Sequence, residues 1–164
     1  MGKKYILTDD VIDFNGHTLH RIKAVRDFDC VKAGNLGGFI ESEKNLDHDG
    51  NAWVSDDAMV TGNAWVTDDA WVTDDAMVTG DARVTGNARV REASDIALIK
   101  GFGSEFRATS FFRCVDGLVR CQCGCFYGTV DEFRSKVRET HGNSKYAKEY
   151  LMIADLMELH FKED

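Results

Sequence analysis

Proline is absent from all 164 residues, and nothing in the pattern accounts for it. Other absences exclude more. No apolar run approaches the roughly 18–20 residues that a membrane-spanning helix needs. Asp9 and Asp10 follow Tyr5-Ile6-Leu7 before the apolar core of a signal peptide could form. Disorder does not fit 43% hydrophobic and 29% charged residues, which are ordinary values for a globular protein. Cysteine is scarce and odd in number. Of the five, four fall between positions 114 and 125. Without an export signal, free thiols or a metal site fit better than a disulfide framework. Positive charge is scarce in the middle of the chain. Residues 34–90 hold three Lys/Arg against eleven Asp/Glu, which accounts for nearly all of the net charge of −8. Direct binding of the repeat to nucleic-acid phosphates is therefore disfavoured. Leu36-Gly37-Gly38 lacks the Lys-Ser/Thr of a phosphate loop and reads as a tight first corner.

What is present is a repeat of period six. Alanine recurs at Ala52, Ala58, Ala64, Ala70, Ala76, Ala82 and Ala88, and valine two places after each, from Val54 to Val90. Period six is not the 3.6 of a helix, and every unit carries a two-residue polar break. The pattern predicts short strands joined by tight corners. Within Ala-x-Val-Thr, alternation sends Ala and Val inward and x and Thr outward. Asp-Asp, Gly-Asn and Gly-Asp occupy the corners, where positive φ is needed. Three strands per coil place residues eighteen apart on successive rungs. Stepping by six from Ala52 and Val90 reaches Leu46, Ile40, Ile96 and Phe102.

On these residues the chain resembles the hexapeptide-repeat family, whose members form left-handed parallel β-helices. Ser or Thr after each Val departs from the family pattern, which favours Gly, Ala or an acid there. Lys4-Tyr-Ile-Leu-Thr-Asp, Leu36-Gly-Gly-Phe-Ile-Glu and Cys123-Gly-Cys-Phe-Tyr-Gly-Thr before Glu139-Thr-His-Gly are similar to a group of phage and prophage hexapeptide-repeat proteins. That likeness implies a mobile-element origin and the cytoplasm of a bacterial host. The expected fold is mainly β: a left-handed parallel β-helix with an N-terminal β cap and a C-terminal α+β segment. Residues 1–33 form the hairpin cap, turning at Asn15-Gly16. Residues 34–103 form the repeat, and residues 104–164 a hairpin at Asp116-Gly117 and two helices. The first helix opens on the capping box Thr129-x-x-Glu132.

Four groups of residues are candidates for function. The first is an acidic ladder of Asp56, Asp57, Asp68, Asp69, Asp74, Asp75 and Asp81, which is a solvated edge, a cation site, or a surface for a basic partner protein. The second comprises the outward side chains Trp53, Trp65, Trp71, Met59 and Met77, expected to be covered by a terminal segment, to form a homo-oligomer interface, or to offer a stacking site for a nucleotide base or a sugar. The third is the cysteine cluster, Cys114, Cys121, Cys123 and Cys125, which reads as a small apolar strand face or a zinc site. The fourth is His48, an exposed loop histidine or, as the family likeness implies for acyltransferases, a general base. No cofactor and no membrane partner is expected. The leading functional expectation is a non-catalytic phage-type interaction protein that inhibits a host defence or nucleic-acid-binding complex. A hexapeptide-type acyltransferase and a self-assembling structural protein are the alternatives.

Overall fold

The computed structural model describes residues 2–163. The strands in chain order are β1 (Tyr5–Phe14), β2 (His17–Ala24), β3 (Leu36–Ile40), β4 (Trp53–Val54), β5 (Met59–Val60), β6 (Trp65–Val66), β7 (Trp71–Val72), β8 (Met77–Val78), β9 (Arg83–Val84) and β10 (Arg89–Val90). They are followed by β11 (Ile96–Ile99), β12 (Thr109–Arg113), β13 (Val119–Cys123), β14 (Phe126–Thr129), α1 (Val130–His141) and α2 (Lys145–His160).

β1 and β2 form a hairpin turning at Asn15-Gly16, both at positive φ. β2 then pairs antiparallel with β3, and β3 pairs parallel with β5. Parallel pairing between repeat strands runs at eighteen-residue offsets: Trp53 opposite Trp71, Met59 opposite Met77, Trp65 opposite Arg83 and Trp71 opposite Arg89. The first row differs. Ile40 lies opposite Val60 and Leu46 opposite Val66, an offset of twenty. Stepping back by six from Ala52 puts Leu46 and Ile40 in Ala positions. They instead occupy Val positions, because the segment between Leu46 and Trp53 contains two extra residues.

The expectation of a mainly-β, left-handed parallel β-helix is corrected by this topology. Among the described residues there are four separate sheets, of five, three, four and two strands, and none closes on itself. The fold is a mixed sheet-and-helix arrangement. Each repeat strand is only two residues long, too short to knit neighbouring rows into a continuous sheet. The largest sheet grows by recruiting the antiparallel hairpin rather than by repetition. Ile96 opens β11, which pairs antiparallel with β12, and Phe102 is exposed in the following loop, so neither continues the parallel rows.

The seven Ala and seven Val of the repeat are all buried and form one apolar cluster with Ile22, Phe28, Trp53, Phe112 and Cys114. Thr61 and Thr67, expected outside, are buried as well. The Thr67 hydroxyl bonds to that of Thr85 one row on, at 3.0 Å, so its polarity is satisfied without water. A second cluster joins Phe111 and Cys121 to Phe133, Val137, Tyr150, Ile153 and Met157 of the helices. Thr129 caps α1 as the sequence pattern predicts: its Oγ1 accepts from Glu132 N at 3.2 Å, and Glu132 Oε2 accepts from Thr129 N at 2.7 Å.

Lys4 is a buried cation under the first row. Its Nζ donates to the carbonyls of Ala52 at 2.8 Å and Asp49 at 3.3 Å, above the Phe28 ring. Burial pulls its pKa down from 10.5 to about 8. Between those values the unfolded chain holds a proton that the folded chain has released, so stability from this group rises with pH. Burial pushes the thiols of Cys114 and Cys121 and the Tyr5 hydroxyl up, which acts in the opposite sense at higher pH. A comparison with Lys4→Met isolates the lysine. From pH 8 to pH 9, urea titrations should move the stability difference in favour of wild type by about 1 kcal/mol. A constant difference would mean that Lys4 is not held in a desolvating site.

Candidate functional site

At each Asp-Asp turn the first aspartate adopts the left-handed conformation, with φ of 55° at Asp56, 58° at Asp68 and 55° at Asp74. Glycine fills the same place at Gly50, Gly62, Gly80 and Gly86, with φ of 63–65°. Most L-residues are strained there, whereas aspartate can bond locally. The carboxylates do so. Asp56 Oδ2 accepts from Ser55 Oγ at 3.0 Å and from Asp74 N, one row on, at 3.4 Å. Asp68 Oδ2 accepts from the hydroxyls of Thr67 and Thr85 and from Gly86 N. The Thr85 hydroxyl is the main reason that the Asp68 carboxyl lies below its usual range.

The seven acidic residues divide among three columns of turns. Asp68 and Asp69 share one, where Asn51 donates to Asp69 at 3.0 Å. Asp81 stands in another, held below the usual carboxylate range by Lys100 first and Asn63 second. The third column contains Asp56, Asp57, Asp74 and Asp75, all exposed. Arg21, stacked on Phe39, approaches Asp57 to 3.7 Å and bonds Asp10 at 2.9 Å. Beyond Asp75 this column continues into an open groove of about 560 Å³. The groove sets Asp74, Asp75, Glu92, Asp95 and Glu163 against Arg91 and Arg113, with Arg113 committed to Asp95 at 3.0 Å. Among the described residues no three His, Cys, Asp or Glu side chains are placed to hold a metal ion. The acidic residues are spread along an edge.

The outward apolar residues do not form one seam. Trp53 is buried, with Phe28 and Tyr5 set edge-on to its indole at ring-centroid distances of 5.3 and 6.4 Å. Its assignment to an exposed interface is therefore corrected to intrachain packing. Trp71, Met59 and Met77 are half-buried. Trp65 is 41% exposed. Arg83 lies over Trp65 and Arg89 over Trp71, each at 5.7 Å, as cation–π pairs one row apart.

The four clustered cysteines separate. Cys114 joins the repeat core and Cys121 the helix-side core. Cys123 is half-buried and accepts from Thr109 Oγ1 at 3.2 Å, while Cys125 is exposed. Cys114 and Cys121 thus belong to different interiors, and among the described residues no three of these thiols converge on one point where a metal ion could sit. A four-cysteine zinc site does not match this arrangement. His48 is not an exposed loop residue either. Its ring stacks on Tyr5 at 4.2 Å, its Nδ1 accepts from Lys4 N at 3.2 Å, and its Nε2 faces Glu43 at 3.6 Å.

Sequence reasoning missed one concave site. Arg83, Lys100, Phe106, Arg107 and Gln122 line a cleft of about 550 Å³ between β9, β13 and the loop before β12. Phe106 there has φ of 53° and is 62% exposed. A left-handed phenylalanine costs on the order of 1–2 kcal/mol. The sequence signal was weak: glycines at Gly101 and Gly103 beside Lys100 and Arg107, in a segment read as the end of the repeat.

No helix among the described residues is long and apolar enough to cross a membrane. Neither the protein-family models nor the curated proteins contain a match to this chain.

Proposed function

We propose that this chain is a non-catalytic interaction protein that meets a basic surface of a partner protein along its third turn column and the adjoining groove. The observation that carries the reading is the doubling of aspartate at exposed turns where Gly-Asn serves elsewhere. Asp57 and Asp75 are not required by the turn, since the left-handed position is the one before each of them. They add charge where the backbone asks for none. The groove extends the same sign of charge past the repeat. Complementary charge of this kind steers association and fixes register. The likeness to phage and prophage proteins supplies the partner class: a host defence or nucleic-acid-binding complex, met in the cytoplasm of a bacterial host, whose phosphate-binding surface the carboxylate edge would occupy.

The acyltransferase alternative is weakened by His48, whose ring is stacked and bonded instead of facing an open cleft. The self-assembling alternative loses Trp53 to the interior.

The test replaces Asp56-Asp57 and Asp74-Asp75 with Gly-Asn. The variant should keep its melting temperature within about 2–3 °C, because Gly-Asn already occupies equivalent turns at Gly62-Asn63 and Gly86-Asn87. Host proteins retained by wild type at low salt should be released by about 0.5 M salt and should be lost from the variant. A partner held equally by both proteins at both salt concentrations would refute the acidic column as the working surface.

A further inference from the structure

The cleft beside Phe106 has a chemistry opposite to that of the turn column. In a chain of net charge −8 it gathers Arg83, Lys100 and Arg107 around a single acid, Asp81, which is already bonded to Asn63 and Lys100. Among the described residues Arg83 and Arg107 form no ion pair. Arg83 is turned toward Trp65, and Arg107 lies so close to Gly124 that a Cβ there would fall 2.1 Å from its Nη1.

The loop carrying Phe106 is held in place. Gly103 N donates to Glu149 Oε2 at 2.9 Å, and a Cβ on Gly103 would sit 2.0 Å from the Tyr150 hydroxyl. From this anchored loop Phe106 presents its ring to solvent in a backbone conformation that disfavours it. Among the described residues the five other non-glycine positions at positive φ are all Asn or Asp, which tolerate that region. A strained, exposed aromatic ring beside three cations is a placement that folding alone does not explain.

We propose that this cleft binds a mononucleotide, with Phe106 stacking on the base and Arg83, Lys100 and Arg107 holding the phosphate. Any base offers a π-face to the phenyl ring, and arginine forks match phosphate oxygens. A cleft of about 550 Å³ has room for one nucleotide. A long strand is disfavoured, because the aspartate turns of the neighbouring rows would repel its further phosphates. The inference does not rest on the acidic column, and the Gly-Asn variant described above should bind nucleotide as wild type does.

The experiment is calorimetry on the full chain with AMP, CMP, adenosine, inorganic phosphate and a ten-residue oligothymidylate. AMP and CMP should bind measurably at sub-millimolar concentration, and adenosine and phosphate each at least roughly tenfold more weakly. Phe106→Gly relieves the left-handed strain, so its melting temperature should hold or rise while AMP affinity falls roughly fivefold or more. Arg107→Gln should weaken AMP roughly tenfold and flatten the dependence on salt. The proposal is overturned if AMP and CMP give no heat, or if either variant binds AMP like wild type. It is equally overturned if phosphate alone matches AMP, which marks an anion site only, or if the oligonucleotide binds far more tightly than AMP, which marks a strand-binding surface.

Discussion

Val66→Asp should abolish folding. Val66 is fully buried, opposite Val84 on one side and Leu46 on the other, among alanines and valines that offer no hydrogen-bond partner. An unpaired carboxylate there must be desolvated or protonated, at a cost of several kcal/mol. That is comparable to the whole stability of a typical domain, about 5–15 kcal/mol. Trp65→Asp introduces the same carboxylate one residue earlier, on the opposite face, beside the Arg83 guanidinium. It should cost only about 1–2 kcal/mol, mostly lost ring packing. Val66→Ala, which leaves a void without a charge, should fall in between at about 2–3 kcal/mol. Urea denaturation followed by circular dichroism separates the three variants. Similar losses for the two aspartate variants would overturn the assignment of faces.

Gly38→Ala should cost about 3 kcal/mol or more, although alanine is the smallest addition possible. β3 is pressed onto the first repeat strands so closely that a Cβ on Gly38 would stand 2.6 Å from the Ala58 carbonyl oxygen and 2.8 Å from Val54 Cγ1. The carbonyl cannot rotate away, because it accepts the ladder bond from Phe39 N at 2.9 Å. The strands must part, and overpacking is paid together with a broken hydrogen bond. Gly37 is equally confined, with Ile22 Cγ1 and the Val54 carbonyl oxygen each 2.5 Å from its virtual Cβ. Gly2→Ala, where nothing lies within 4 Å, is the control and should be neutral. A Gly38→Ala protein that unfolds at the same urea concentration as the control would refute close packing of β3 on the repeat as a source of stability.

These two glycines also show where the sequence stops being legible. Gly37-Gly38 reads as a corner, since glycine most often marks a turn. Here both sit inside a strand, and the reason is the distance to a neighbour, which one chain segment cannot reveal. The local signals fared differently. Asn15-Gly16, Asp116-Gly117 and the Thr129 capping box act within a few residues of themselves, and turns and a helix start stand at those places. Period six carried the eighteen-residue pairing of Trp53 with Trp71 and of Met59 with Met77. It could not carry the architecture, because a repeat sets which residues lie opposite each other and not whether two-residue strands merge into one sheet. For Trp53 the sequence left cover by a terminal segment and an oligomer interface both open; the choice falls to Tyr5 and Phe28, more than twenty residues away, which supply the cover. The cleft at Phe106 combines residues from Asp81 to Cys125, and its strongest mark, a positive φ at a phenylalanine, leaves no trace in composition.

β12 lies between two interiors. Phe112 enters the repeat-side cluster and Phe111, its neighbour, the helix-side cluster. A strand with an anchor on each face works as a hinge pin that neither leaf can release alone. Loosening the helices uncovers Phe111 and slackens the strand that carries Ser110, whose hydroxyl accepts from Arg83 N at 2.9 Å. The repeat and the helices are therefore expected to melt in one cooperative step, so that damage to α1 or α2 is felt at the last repeat row.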